Sequence, residues 1–243
     1  MTMTPEQQHI LYADENGDLE GIFEVQFFEP HLRAERQEAL LAMLDDPNPA
    51  VRFDSLQILA AWGHSTALDR VLSLLRSDSD DFERQSQHRL SGADTTHDQL
   101  GFTMDIAVSN CEHDDTRLRE IAKLLLDAAR TGFVENGLEA FISRLGDTTL
   151  VPQVQSVILE KRDAGDVRGA GDLLPALATL APATAWELIR EFAGQDYFDD
   201  LAMGVARTLE RIGDADAHRE LAVLADRQDL PGASHVARRA LDK

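Results

Sequence analysis

At 243 residues the chain exceeds one average domain and suits a single elongated array, and its 43% apolar content is enough for a continuous core, which excludes disorder of the whole. Its 44 Asp and Glu against 23 Lys and Arg leave a formal charge of −21. Such a field repels phosphate backbones and anionic lipid, so nucleic acid and membrane are excluded as expected partners and a basic protein surface is favoured. The bland alternative is that the acidity only keeps the chain dissolved or reflects an acidic host proteome. A single cysteine, Cys111, rules out an internal disulfide and fits a cytoplasmic location. The first residues have neither a basic nor an apolar leader region, and no run of about 18 apolar residues exists, so neither a signal peptide nor a membrane span is expected.

In chain order, residues 1–29 read as a cap segment with two open conformations. Ile10 to Tyr12 and Ile22 to Phe28 can form a hairpin around Asn16-Gly17. Alternatively, Leu19, Ile22, Phe23 and Phe27 make a helical stripe capped by Asp18. The clearest repeating unit follows at residues 40–75. A helix stops at Asp45-Asp46 before Pro47 and Pro49, and a second starts near Val51 with Val51, Ile58, Leu59 and Trp62 on one face. Gly63 ends it in a left-handed position, and a third helix carries Leu68, Val71, Leu72 and Leu75. Residues 77–99 are polar and acidic with little helical period; they read as an insert, with room for one short helix around residues 82–90. A junction at Cys111 to Asp115 leads into Leu118, Ile121, Leu124 and Leu125. Similar junctions at Gly146-Asp147, Ala181-Pro182 and Gly213-Asp214 precede further apolar stripes. They are spaced 36 and 31 residues apart, the length of one helical hairpin. A last helix spans residues 233–241.

The phrase Leu44-Asp45-Asp46-Pro47-Asn48-Pro49-Ala50-Val51-Arg52, followed by Leu59-Ala60-Ala61-Trp62-Gly63, resembles the HEAT-repeat family. Asp166-Val167-Arg168 and the Gly-Asp turns echo it. The resemblance covers about residues 30–243 and is sharp only in the first unit. It implies an all-α fold, a right-handed α-solenoid of stacked antiparallel helix pairs with a concave ligand-binding face. It also implies an inter-repeat polar ladder of a turn Asp and a second-helix Arg, places matched here by Asp46 and Arg52. Later units mostly lack both residues, so the ladder is expected to be broken.

Enzyme classes built on similar repeats find little support. None of the eight His is followed by Glu, as a di-iron hydroxylase of this architecture would need. A DNA glycosylase would want a basic groove with aromatic side chains, whereas Trp62 and Trp186 fall on or beside apolar stripes and are expected to pack in the core. A bilin-lyase type is not positively selected. Cys111-Glu112-His113-Asp114-Asp115 has metal-capable side chains, but neighbours at a helix end diverge, and acids before Leu118 suit a helix N-terminus. Asp14, Asn16 and Asp18 start like a calcium loop, yet Leu19 stands where Gly is needed and Val25 where Glu is needed. No phosphate-binding loop or serine-nucleophile elbow is present. The expectation is therefore no catalytic residues, no metal and no cofactor.

Two segments are expected to contact a partner. One is the start of a helix at Asp196, Tyr197, Asp199 and Asp200, where an aromatic ring among carboxylates suits a basic partner. The other is the insert, through Asp78, Asp80, Asp81 and Glu83. The expected function is non-enzymatic protein binding, in its sharper form an immunity or inhibitor protein for a basic toxin, with an adaptor or assembly factor as the alternative and a lyase as a remote one. Oligomeric state is left open.

Overall fold

A computed structural model describes residues 2–28, 30–77, 92–111, 116–193, 195–196 and 198–242. Among these all regular secondary structure is helical, with isolated bridge residues in place of strands, such as the antiparallel pair Ala13 and Leu19. Two compact units divide it, Met1–Leu125 and Leu126–Lys243.

The first unit holds α1 (Pro5–Tyr12), α2 (Ile22–Gln26), α3 (Pro30–Met43), α4 (Pro49–Ala61), α5 (Ser65–Arg76) and α6 (Thr96–Asn110). Between α1 and α2 both expectations are met in part. The Asn16-Gly17 turn forms, with Gly17 at a φ of 85° and the Asp14 carboxylate accepting from the backbone N–H of Asn16 and Asp18, but helices rather than strands flank it. Asp18 does not cap α2, whose N-terminal residue is Gly21 with no side-chain cap. The phrase around Pro47 behaves as read. Asn48 accepts from the Ala50 N–H, Pro49 opens α4, and Gly63 closes it at a φ of 76°. Val51, Ile58 and Leu59 are fully buried, and α4 packs against every other helix of its unit.

Three expectations need correction here. The polar insert cannot extend to residue 99, because α6 begins at Thr96 and buries Leu100, Met104 and Ala107; the short helix suggested around residues 82–90 lies outside the described residues. Arg52 makes no side-chain pair with Asp46: its guanidinium donates to the Asp46 backbone carbonyl at 2.8 Å, while the Asp46 carboxylate takes Gln7 and the Asn48 N–H. Trp62 and Trp186 are half-buried, not core residues.

Helix α7 (Thr116–Ala129) carries the boundary between units. The second unit continues with α8 (Gly137–Leu145), a 3-10 turn (Thr148–Leu150), α9 (Val151–Asp163), α10 (Val167–Leu180), α11 (Pro182–Phe192), α12 (Phe198–Ile212), α13 (Ala215–Ala225) and α14 (Pro231–Leu241). Gly146 and Gly213 take left-handed backbone at the expected helix ends, and Asp147, Asp166 and Asp214 cap the elements that follow. In this unit α10 lies against α8 and α12, and α12 against α14, so the even-numbered helices follow one another. Helix α9 packs on α10, α11 on α10 and α12, and α13 on α12 and α14.

The tightest contact joins α10 and α12. A Cβ on Gly204 would lie 2.2 Å from the Gly171 carbonyl oxygen, so the two backbones touch. Pro175, inside α10, has no N–H to return to that carbonyl, which leaves its oxygen open to the Gly204 backbone. Gly171 differs: a Cβ there would meet the Leu201 Cδ2 at 3.2 Å, the end of a side chain that can turn away. Gly204→Ala should therefore cost the second unit about 3 kcal/mol in chemical denaturation, whereas Gly171→Ala should cost about 1 kcal/mol or less. Equal effects would show that the backbone contact is not what holds α10 to α12.

Candidate functional site

Of the eight residues expected to contact a partner, Asp78, Asp80, Asp81, Glu83 and Tyr197 lie outside the described residues. Asp196, Asp199 and Asp200 are exposed at the entry to α12. Here the apolar stripe of α12 turns inward with Leu201, Ala202 and Val205 buried, so the acids project outward.

Beside this entry lies a groove of about 570 Å³ between α11, α12 and α13. Its floor is apolar, made by Ile189, Phe198, Val205, Leu209 and Leu224. Val223 stands on the wall at 61% exposure, because it is off the stripe by which Ala217, Leu221 and Leu224 bury α13. Trp186 forms the opposite wall. Its indole N–H donates to Asp214 at 3.4 Å, and the Arg190 guanidinium lies 5.1 Å over its ring centroid. Asp214 is held below the usual carboxylate range, first by the Ala217 backbone N–H that it caps and also by Trp186.

The three arginines of the groove are all engaged. Arg190 lies over Trp186, Arg219 pairs with Asp216, and Arg227 bonds Asp229 at 2.7 Å and Asp199 at 3.2 Å. Arg227 in turn keeps Asp229 well below the usual carboxylate range. Asp199 is thus partly neutralised, which the sequence reading missed. Asp196, Asp200 and Glu220 make no ion pair among the described residues, so the unbalanced charge around the groove is negative.

A second polar arrangement runs across α8, α10 and α12. Arg207 donates to Asp172 and, at 2.6 Å, to Asn136; one turn on, Arg211 reaches Glu139 and Thr179. Asp172 is 3% exposed, and burial, outweighing Arg207 and Arg168, pushes its carboxyl up to about 6. Asp172 Oδ2 and Arg207 Nε are buried without a hydrogen-bond partner. These residues tie α8, α10 and α12 to one another.

No group of three or more His, Cys, Asp or Glu among the described residues is placed to hold a metal, and no described helix is long and apolar enough to cross a membrane. Cys111 is half-buried and unbridged; its four acidic and His neighbours at 112–115 lie outside the described residues. Comparison of the chain with family models, curated proteins and solved structures finds no match.

Asp172 makes the second unit pH-sensitive with a definite sign. Its folded-state value stands above that of an unfolded aspartate, so the native state holds the proton more readily and stability rises as pH falls through about 6. Between pH ~7.5 and ~5.5 the gain should be about 1 kcal/mol, and Asp172→Asn should abolish it. Asp214 and Asp229 act oppositely but only as pH falls further, through the ordinary carboxylate range and below. Denaturant titrations read by Trp186 fluorescence in a Trp62→Phe background check this; a flat wild-type profile across that window refutes it.

Proposed function

We propose that the chain is a HEAT-like, right-handed α-solenoid that acts by binding a basic protein, with the α11–α12–α13 groove as its contact site and no catalytic step of its own. The reading of the repeats is supported by the succession of even-numbered helices in the second unit and by the glycine-closed, Asp-capped junctions. Inhibition of a basic toxin is the sharpest form of this role.

One observation carries the binding assignment: an apolar opening with Val223 and Trp186 on its walls lies beside carboxylates that have no ion pair. Apolar and aromatic surface supplies affinity, and unbalanced charge of one sign selects partners of the other and speeds their encounter. A partner segment with an apolar anchor flanked by Lys or Arg satisfies both. Two of the groove's arginines are balanced by carboxylates, Arg219 by Asp216 and Arg227 by Asp199 and Asp229, so that Arg190, over the Trp186 ring, is outnumbered by Asp196, Asp200 and Glu220.

The test uses the full chain carrying Trp62→Phe, so that Trp186 is the one tryptophan left. Panning a displayed library of helical peptides should enrich sequences with net positive charge and an apolar anchor, and their binding should change Trp186 fluorescence. Val223→Lys, at an exposed position where folding is little affected, should weaken binding at least about tenfold. Raising salt from about 0.05 to 0.3 M should weaken it further. Enrichment of neutral or acidic peptides, or undiminished binding by Val223→Lys, overturns the proposal.

A further inference from the structure

We infer that the first unit holds a separate binding site, a cavity between α1, α4 and the approach to α2 that takes an organic monocation bearing an oxygen acceptor, with the Asp54 carboxylate as counter-charge. The cavity measures about 440 Å³, within the range of small-ligand sites. Tyr12, Glu20, Ile22, Phe53, Asp54 and Gln57 form its working wall. Asp54 and Gln57 are three residues apart on α4 and so present their polar ends side by side.

No arginine or lysine lines this cavity. One Asp54 oxygen accepts from the Tyr12 hydroxyl, and the other has no partner among the described residues. The arginines of the same unit that might have served are turned elsewhere: Arg52 bonds the Asp46 carbonyl and Arg36 the Ile10 carbonyl. Burial raises the carboxyl of Asp54 above its ordinary value and the Tyr12 hydroxyl above its own, as expected of an acid desolvated without a cation. Glu20 adds a second carboxylate at the exposed rim.

Gln57 supplies the independent observation. Its side chain is 1% exposed, yet its amide nitrogen meets no described acceptor; its oxygen takes only a long bond, 3.4 Å, from Thr103. Thr103 in turn receives an equally long bond from Gln26, so the amide is held in place from behind. An amide donor on a cavity wall with no protein acceptor is free to bond an acceptor that enters the cavity. The wall therefore asks for a positive group at Asp54 and an oxygen acceptor at Gln57, with an aliphatic body against Ile22 and Phe53. An alkylammonium or alkylguanidinium carrying a hydroxyl or carbonyl has these parts. It is either a free amino alcohol or the Lys or Arg side chain of a peptide together with its own carbonyl.

Calorimetric titration of the full chain with three probes tests the site. They are 4-aminobutan-1-ol for the free source, Nα-acetyl-arginine amide for the peptide source, and Nα-acetyl-citrulline amide as the neutral match of the second. At least one cation should bind saturably with one-to-one stoichiometry, and the tighter of the two identifies the source. The citrulline compound should bind at least tenfold more weakly than the arginine compound. Asp54→Asn, which keeps an acceptor for Tyr12, should weaken the cation at least tenfold. Glu20→Gln, at an exposed position that does not bear on folding, should weaken it at least twofold. Saturable binding by neither cation, equal binding of citrulline, or undiminished affinity in both variants overturns the site. Each outcome is independent of the α11–α13 groove, which belongs to the other unit.

Discussion

The second unit is organised around a backbone contact that only glycine allows. Gly204 lies on the Gly171 carbonyl, whose own helical partner is removed by Pro175. Close approach at this point brings α12 near enough for Arg207 to reach Asp172 on α10 and Asn136 before α8, one turn from the contact. Asp172 is buried and Arg207 half-buried, and each keeps one atom without a hydrogen bond, so the pair adds little net stability, since desolvation offsets much of the attraction. Its consequence is register. Sliding α12 by one turn would strand both charges in an apolar interface, which a hydrophobic contact alone would tolerate far better. The α10–α12 geometry in turn places the first turn of α12, and with it Phe198 and Asp199, against α11 and α13. The groove is therefore a product of the glycine contact.

Helix ends and apolar stripes were legible in the sequence because their causes are local. Asn48-Pro49, Gly63, Gly146-Asp147 and Gly213-Asp214 each punctuate within a few residues, and of the stripes read from spacing α4 buries Val51, Ile58 and Leu59 and α5 buries Leu68, Val71 and Leu72, while Trp62 and Leu75 stay half-buried. Helix α6 escaped notice for a physical reason. Its buried face includes Thr96, Asp98 and Thr103 as well as Leu100, Met104 and Ala107, so a count of apolar residues alone dilutes its period. The buried polar residues find partners on other elements, as Thr103 does with Gln57 and Gln26. Such pairing across 46 and 77 residues has no local signature.

The candidate site was legible to the same degree. That acids at the start of α12 face outward follows from the inward stripe of Leu201, Ala202 and Val205. That Asp199 would be claimed by Arg227 does not follow, because the pairing depends on where α13 ends. Val223 did carry a readable signal, an aliphatic residue off the stripe of its own helix. So did Gly204, since a glycine inside a helix costs about 1 kcal/mol against alanine and is kept where another backbone comes close. Tyr12 and Asp54 had no such signal: they are brought together by the turn at Gly17 and the packing of α1 on α4.

Much of the chain's positive charge is tied up in local ion pairs. Arginines are mostly spent on bridges between neighbouring helices, such as Arg76 with Glu120, Arg130 with Glu160 and Arg162 with Glu191. Exposed pairs of this kind each contribute at most about 1 kcal/mol. Their larger effect is to cancel the positive charge locally, leaving the excess of carboxylates to set the field beyond the surface. A cationic molecule approaching through that field is attracted before it touches anything, and salt reduces the attraction. What holds it afterwards must be short-ranged, and the apolar floor between α11 and α13 offers contact of that kind. For the proposed basic partner, division of labour between a screened long-range field and an unscreened apolar contact would make on-rate and residence time respond to different residues, the carboxylates for the first and Val223 and Trp186 for the second.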